Sequence, residues 1–271
     1  MIVRKPVAGG PAGRAFYISS PEGLKNQIKG LIDEKAPKSE VIACVLPHAG
    51  YEYSGKVAAA TLSHVIIKDK IILFGPNHTG EGEQFSIMTD GVWQTPLGEV
   101  KIDSQLAKKI LNNSKYLKDD FLAHKHEHSL EVELPFLQYL KQDFEIVPIA
   151  FMTNDIEALR EVGKDVAKAI AGEKECLLIA SSDMTHYESH DSAQKKDKLA
   201  IEAILELDEV KLMEKVSEFD ITMCGYAPVI AVICAAKALG AKIGKLVKYQ
   251  TSGESTGDYS SVVGYAGITI T

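Results

Sequence analysis

Four short apolar runs, each followed by a polar turn, constrain the fold of this 271-residue chain more than any other feature. A strand that is buried on both faces reads as an uninterrupted apolar run, and such strands are typical of parallel sheets. The segments between the runs carry apolar residues at helical spacing, so strands and helices alternate along the chain. This alternation predicts an α/β fold with a central mixed, largely parallel sheet flanked by helices. The four runs are residues 41–46, 71–74, 144–151 and 176–180.

Helix starts and the final strands can also be read from the sequence. Pro21 is typical of a first helical turn, and Asp155 can cap a second helix. The last two patterned segments, residues 245–250 and 259–271, read as terminal strands that add antiparallel edges to the sheet. The chain has no internal repeat, low-complexity tract or linker. We therefore expect residues 1–271 to form a single domain.

The charge balance limits the classes of partner. The chain has 30 basic and 37 acidic residues, which gives a formal net charge of −7. An acidic chain lacks the overall positive charge of nucleic-acid binders and of proteins that bind anionic membranes. No window approaches the roughly 18 uninterrupted apolar residues of a membrane-spanning helix. We expect a cytoplasmic protein with no nucleic-acid or membrane partner.

Three of the predicted strands are each followed by a histidine. His48 comes after the first strand, His78 after the second, and His186 after the fourth. Ligands of open α/β sheets bind outside the carboxyl ends of the strands. The sequence therefore predicts that the three histidines meet at one edge of the sheet.

The segments around His48 and His78 have the same design. Pro47 and Gly50 enclose His48 in a tight turn, and His78 has a Gly-Pro pair before it and a glycine after it. Either imidazole taken alone is also consistent with a loop histidine that is hydrogen-bonded to the backbone. Because two such turns occur on successive strands, a metal site or a catalytic site is about as well supported as a pair of loop histidines bonded to the backbone. Imidazole binds zinc, copper and iron, so the pair does not identify the metal.

Cys224 differs from the other cysteines in its position. It precedes the helix that Pro228 begins, where unpaired N–H groups favour a thiolate, which is a nucleophile and a soft metal ligand. A turn cysteine packed under its loop is the alternative. Cys44, Cys176 and Cys234 lie inside apolar runs and are expected to be buried hydrophobic residues.

Asp183 and His186 form the next candidate pair. A spacing of three residues places the carboxylate and the imidazole on the same side of a turn, where the carboxylate can orient the imidazole or share a substrate proton. The alternative is a helix cap followed by a surface histidine.

A further group of histidines precedes a predicted helix start at Ser129. His128 adjoins that helix start and is therefore better placed for a functional role than the other two histidines. His124 and His126 are expected in an exposed loop. Position 130 is leucine, so the H-E-x-x-H motif of zinc proteases is absent.

One motif suggests a different chemistry. Residues 253–257 match the G-x-S-x-G nucleophile elbow of α/β hydrolases. That mechanism requires a helix after Ser255 and a histidine later in the chain, but a strand is predicted there and the last histidine is His190. We therefore interpret the segment as a Gly/Ser loop.

Five motifs occur in order along nearly the whole chain, at residues 47–51, 75–78, 127–131, 182–186 and 223–225. Together they resemble the motifs of the Memo family, which is similar in fold to the class III, non-haem-iron extradiol dioxygenases. The resemblance implies that His48 and His78 are metal ligands and that Cys224 stands where the dioxygenases have a carboxylate. It also implies that His186 and His128 act on the substrate.

The cysteine has consequences for the metal and for the activity. A thiolate in place of a carboxylate favours copper or zinc relative to the iron site of the dioxygenases, and the thiolate is itself oxidisable. We expect Fe²⁺ or copper, with zinc as a third option. The resemblance also implies an accessory role beside a radical-SAM protein and an AMMECR-type protein.

Three functional hypotheses follow. The first is a metal-dependent redox enzyme of the dioxygenase-like type, with His48, His78 and Cys224 as ligands and His186 as the acid/base. The second is a non-catalytic module that binds a metal, a small molecule or a peptide in the same pocket. The third is a thiol hydrolase or transferase in which Cys224 is the nucleophile and a histidine is the base.

Overall fold

A computed structural model describes residues 2–9, 16–173 and 175–271 of the chain. This part of the chain folds around one mixed sheet of twelve strands. The strands are β1 (Val3–Arg4), β2 (Ala43–Leu46), β3 (Lys70–Pro76), β4 (Phe85–Ile87), β5 (Val92–Thr95), β6 (Gly98–Ile102), β7 (Lys118–Asp119), β8 (Glu145–Phe151), β9 (Cys176–Ser181), β10 (His186–Glu188), β11 (Gly244–Thr251) and β12 (Val262–Ile270).

The four predicted apolar runs form the centre of this sheet. They lie side by side in the order β8-β3-β9-β2 and are parallel throughout. Ile71 in β3 pairs with Ile146 on one side and with Leu177 on the other, and all three side chains are fully buried. The prediction of an α/β domain with a largely parallel sheet is therefore confirmed.

The C-terminal strands are antiparallel, as predicted, but β12 does not lie at an edge. It pairs with β2, with β10 and with β11, and β11 lies on the side of β12 opposite β2. Ile268 and Ile270 are fully buried where β12 meets β2. The apolar character of the last residues therefore reflects an interior strand, and β11 is the strand at its flank.

Helices cover the sheet. The helix α9 (Tyr226–Ala238) packs against β2, β3, β8 and β9, and α6 (Ile156–Ile170) packs against α9. Gly163 permits this approach, because a Cβ atom there would lie 2.3 Å from the Ala231 carbonyl oxygen. Asp155 caps α6 by accepting a hydrogen bond from the Ala158 N–H, as predicted. The helices are α1 (Pro21–Lys29), α2 (Gly55–Ser63), α3 (Ser104–Asn113), α4 (Leu122–Lys125), α5 (Leu134–Leu140), α6 (Ile156–Ile170), α7 (His190–Leu205), α8 (Glu209–Glu218), α9 (Tyr226–Ala238) and α10 (Gly253–Thr256).

A short 3₁₀ turn, Glu131–Glu133, leads into α5, so the helix predicted to start at Ser129 starts five residues later. Among the described residues, no helix is both long and apolar enough to cross a membrane.

Candidate metal centre

His48 and His78 lie where the sequence predicts them, just beyond the carboxyl ends of β2 and β3. These strands are separated only by β9, so their final turns lie near each other at one edge of the sheet. The centroids of the two imidazole rings are 5.2 Å apart. The parallel register of the central strands thus brings together two residues that are thirty positions apart in sequence.

His128 is the third histidine of this group. It precedes the 3₁₀ turn, and its ring centroid lies 5.6 Å from that of His48 and 4.9 Å from that of His78. Each of the three residues offers a ligand nitrogen, and these atoms all lie within 4.8 Å of one another. Sequence reasoning assigned His128 to the substrate, whereas the structure places it beside the two predicted metal ligands.

The Nδ1 atom of each imidazole in this group faces a polar partner. His48 Nδ1 lies 2.8 Å from Ser181 Oγ, and His78 Nδ1 donates to Glu127 Oε1 at 2.9 Å. His128 Nδ1 lies 3.4 Å from the same Glu127 oxygen. An Nδ1 atom held in this way fixes the tautomer and leaves Nε2 free to bind a metal. The donor set and its supporting hydrogen bonds therefore fit a metal ion of the kind that imidazoles bind.

Glu127 is the carboxylate that organises two of the histidines. It is buried, and it also accepts the backbone N–H groups of His78, His128 and Ser129, the last two at 2.9 and 2.8 Å. Burial alone opposes its ionisation, but the hydrogen bond from His78 and the nearby imidazoles lower the pKa of Glu127 to about 2. Burial also opposes protonation of His78, but the hydrogen bond and the charge of Glu127 outweigh it and raise the pKa of that imidazole.

A buried chain of polar groups supports His48 from behind. Ser181 Oγ lies 2.8 Å from the Ser129 carbonyl oxygen and 3.1 Å from Glu133 Oε1. Glu133 is fully buried, and burial raises its pKa well above the usual value of a glutamic acid. A neutral Glu133 can donate to Ser181, whose hydroxyl then donates to Ser129 and accepts from His48.

The two other imidazoles of the centre are neutral at physiological pH. Burial, followed by the nearby charge of His78, lowers the pKa of His48 to about 3. Burial and the neighbouring His48 lower the pKa of His128 to about 4. A metal ligand must be an unprotonated imidazole, so no proton has to be displaced from either ring.

Cys224 borders the histidine group through His48. Its Sγ lies 3.3 Å from His48 Nε2 and accepts the Asp183 N–H at 3.3 Å. Gly225 makes this possible, since a Cβ atom there would lie 2.4 Å from the Ser181 carbonyl oxygen. Burial, together with the charge of Asp183, raises the pKa of the Cys224 thiol well above its usual value. This is opposite to the lowering that the helix N-terminus predicts, because the desolvation of the sulfur outweighs the dipole of α9.

Asp183 holds the turn that carries His48. Its Oδ1 accepts the backbone N–H groups of His48 at 2.9 Å and Ala49 at 3.3 Å, and its Oδ2 lies 3.9 Å from His48 Nε2. The side chain is buried, and burial raises the pKa of Asp183. The carboxylate therefore positions His48, in addition to the role beside His186 that the spacing predicts.

His186 approaches from β10 and is half-buried. Its Nδ1 lies 2.9 Å from the Thr222 carbonyl oxygen, and its backbone N–H donates to Thr222 Oγ1 at 2.7 Å. This leaves Nε2 of His186 without a role in holding the loop. The contact also ties His186 to the segment that carries Cys224.

The sequence analysis did not identify the supporting residues Glu127, Ser181 and Glu133. Glu127 had a weak signal, since it adjoins His128 in a motif that was already selected. Ser181 had only its place at the end of a predicted strand. Arg4 had none, yet its guanidinium donates to the backbone carbonyls of His124 and Glu127 from the far end of the chain.

Comparison with known proteins agrees with the motifs and with the fold. Residues 6–269 match the family model described as "Memo-like protein". The chain is 43% identical to a MEMO1 family protein, MK0963, of Methanopyrus kandleri, over 98% of both chains. It is 41% identical to a MEMO1 family protein of Aquifex aeolicus, over 99% of both chains.

A solved structure is similar in fold. The crystal structure of the uncharacterized protein JW3007 from Escherichia coli K12 matches 86% of this chain and 100% of that chain, with a TM-score of 0.57 and 13% sequence identity. At that identity the likeness concerns the fold alone. The family model and the relatives cover nearly the full length, and the chain therefore belongs to the Memo family.

Proposed function

We propose that this protein binds iron or copper through His48, His78 and Cys224 and uses the ion to oxidise a small molecule in the same pocket. The observation that carries the proposal is the convergence of the histidine nitrogens within 4.8 Å, with each Nδ1 facing a polar partner. Supporting hydrogen bonds of this kind are the usual surroundings of metal-binding histidines. Cys224 adds a soft sulfur beside His48.

The bound ion would supply electron transfer or Lewis-acid polarisation to the pocket. The residues of the chain have separate tasks around it. His48 and His78 hold the ion, and Glu127 and Ser181 keep their imidazoles oriented. His186, with Nδ1 held by Thr222, would use its free Nε2 to move a proton to or from a substrate. Asp183 positions the His48 turn and tunes the local charge.

One geometric feature favours a second candidate function, a thiol hydrolase or transferase. Cys224 Sγ and His48 Nε2 are 3.3 Å apart, which is close enough for a thiol–imidazole pair. Burial and Asp183 hold the pKa of the thiol well above its usual range, so the metal-free pocket does not favour the thiolate. Alkylation of metal-free protein at neutral pH, with peptide mapping, separates the two functions. Rapid and selective labelling of Cys224 supports the thiol mechanism, and slow labelling argues against it.

Metal titration tests the proposed function directly. Protein stripped with a chelator would be titrated without oxygen with Fe²⁺, Cu⁺ and Zn²⁺, and oxygen uptake would then be measured with candidate reductants. We expect one ion per chain and oxygen uptake only in the iron or copper form. Metal binding without oxygen uptake for any reductant would favour a non-catalytic binding module. The radical-SAM and AMMECR-type partners that the resemblance implies stay a prediction.

A further inference from the structure

We infer that His128 is a fourth ligand of the same ion, so that the centre consists of three imidazoles and one thiolate. This inference rests on the proposed metal binding and changes the role of one residue. The family resemblance implies that His128 acts on the substrate. The structure instead places it in the same ligand group as His48 and His78.

The spacings support direct coordination. Bonds of about 2.0 Å to nitrogen and about 2.3 Å to sulfur, at a roughly tetrahedral angle, separate two ligand atoms by about 3.3–3.6 Å. Cys224 Sγ and His48 Nε2 are 3.3 Å apart. The ligand nitrogens of His48, His78 and His128 lie within 4.8 Å of one another, so small side-chain rotations bring the three imidazoles to these spacings, and Cys224 adjoins them on the His48 side.

The His128 ring is also held in place on both faces. Phe16 stacks on it at a centroid distance of 4.2 Å with an interplanar angle of 24°, and His78 stacks at 4.9 Å with the same angle. At its edge, Nδ1 lies 3.4 Å from Glu127 Oε1. A ring that is packed on both faces, with Nδ1 facing the Glu127 carboxylate, presents Nε2 in one direction. This is the preorganisation expected of a ligand.

An acid/base role for His128 fits these contacts less well. A histidine that acts on a metal-bound substrate needs room for a substrate atom between its nitrogen and the ion. The close spacing with both His48 and His78 leaves that room only if the ring moves out of its stack with Phe16. His186 has no such restriction, because only its Nδ1 atom is engaged.

With four protein ligands, zinc and an ion of higher coordination number would differ in how many positions stay free for other ligands. Zinc in a site with four protein ligands is typically closed. An ion that accepts six ligands would keep two positions for substrate and oxidant. We therefore expect an ion that accepts further ligands, such as iron, to support oxidation in this pocket, and zinc to occupy the same ligands without activity.

Cobalt spectroscopy and zinc competition test the inference on the full chain. Wild type would be compared with His128→Phe, which keeps an aromatic ring against Phe16 but has no nitrogen. His126→Phe is the matched control, because His126 is exposed two residues away. We expect His128→Phe to change the Co²⁺ absorption spectrum and to weaken zinc binding about 100-fold. This is the upper end of the roughly 10–100-fold loss of metal affinity that follows removal of a residue that only orients a ligand. His126→Phe should behave like wild type.

Two results would overturn the inference. The first is a His128→Phe variant with the wild-type cobalt spectrum and zinc affinity. The second needs no substitution, so it applies even if that variant misfolds: zinc X-ray absorption of wild type that gives one sulfur and only two imidazoles. Three imidazoles and one sulfur is the expected result. If wild type binds neither cobalt nor zinc, the proposed function itself fails, which is distinct from binding with one imidazole fewer.

Discussion

Glu127 shows how one carboxylate determines the chemistry of its neighbours at the scale of single residues. It accepts a hydrogen bond from the His78 ring and lies 3.4 Å from the ring nitrogen of His128. It also accepts hydrogen bonds from three backbone N–H groups in the turns that contain these two histidines. The charge of Glu127 raises the pKa of both imidazoles, but the net pKa is raised only at His78, which also donates a hydrogen bond to it, and is lowered at His128. Burial decides the difference, since it prevails at His128.

The first prediction concerns this carboxylate. Glu127→Gln keeps the size of the side chain but removes the charge that accepts the His78 Nδ1–H group and that His128 Nδ1 faces. Loss of such a supporting group costs about 10–100-fold in metal affinity. We expect a loss of this size by zinc competition, with Glu83→Gln at an exposed position as the control. An affinity within threefold of wild type would show that Glu127 does not support the metal.

A second prediction separates ligands from proton-transfer groups. His48→Ala should lose the metal, whereas His186→Ala should retain metal near the wild-type level and lose any turnover, because His186 Nδ1 contacts only the Thr222 backbone. Asp183→Asn weakens the acceptor that holds the His48 turn, so it should retain less metal than wild type and more than His48→Ala. The measurement is metal content per chain for the three variants. A His186→Ala protein as depleted as His48→Ala would identify His186 as a ligand and reopen the role of Cys224.

At the scale of elements, the centre depends on how closely its loops approach the strand ends. The loop before α9 reaches the end of β9 only because Gly225 has no side chain; a Cβ atom would lie 2.4 Å from both the Ser181 carbonyl oxygen and Ser182 Cβ. This contact sets the distance between Cys224 and His48. Strand and helix patterns in the sequence do not predict this contact, because they give the order of the elements but not how closely their loops approach one another.

The third prediction tests this approach. Gly225→Ala should move the Cys224 loop away from His48, cost about 1–3 kcal/mol of the free energy of unfolding, as an overpacked site does, and change the cobalt spectrum. Gly30→Ala is the matched control, because Gly30 ends α1 with ordinary backbone angles and its Cβ would meet nothing nearer than 3.5 Å. Identical spectra for Gly225→Ala and wild type would mean that Cys224 is not held by this contact.

A fourth prediction concerns the buried ion pair between β1 and the 3₁₀ turn. Arg4 Nη1 lies 2.6 Å from Glu131 Oε2, and both side chains are fully buried. Arg4→Met leaves the Glu131 charge unpaired, so it should cost about 3–5 kcal/mol of the free energy of unfolding. Urea denaturation measures this, and the double variant with Glu131→Gln should recover part of the loss. A cost below about 1 kcal/mol for Arg4→Met would contradict the importance we assign to this pair.

At the scale of the whole molecule, the sequence predicted the strands whose environment is uniform. The four apolar runs are central strands. They can be recognised in the sequence because a strand that is buried on both faces is apolar along its whole length. The sequence also placed His48 and His78 correctly, because strand direction alone brings their turns together. It could not place His128, Glu127 or Arg4, since their positions depend on contacts between segments that are more than forty residues apart.

The fifth prediction concerns acid stability in the absence of metal. Burial, followed by the charge of Arg4, lowers the pKa of His124 from 6.5 to about 3. Below about pH 6.5 the unfolded chain therefore binds a proton that the folded protein does not accept until about pH 3. The free energy of unfolding should fall through this window by about 1.4 kcal/mol per pH unit for this residue.

The replacement of His124 by leucine isolates that contribution. His124→Leu should show a shallower loss of stability between pH 6 and pH 4 than wild type, whereas His126→Leu, at an exposed position, should follow the wild-type curve. Urea denaturation across this pH range, with chelator present, gives the comparison. Parallel curves for His124→Leu and wild type would show that His124 does not titrate as its burial requires.

The measurement that tests the central claim most directly is the metal content of the chain purified without oxygen. We predict close to one equivalent of iron or copper per chain in wild type, and less than about a tenth of that in His48→Ala. The two proteins should have the same far-ultraviolet circular dichroism, so that the loss reports the site rather than the fold. Wild type with no bound metal, or His48→Ala with the wild-type amount, would contradict the assignment of this pocket as a metal centre.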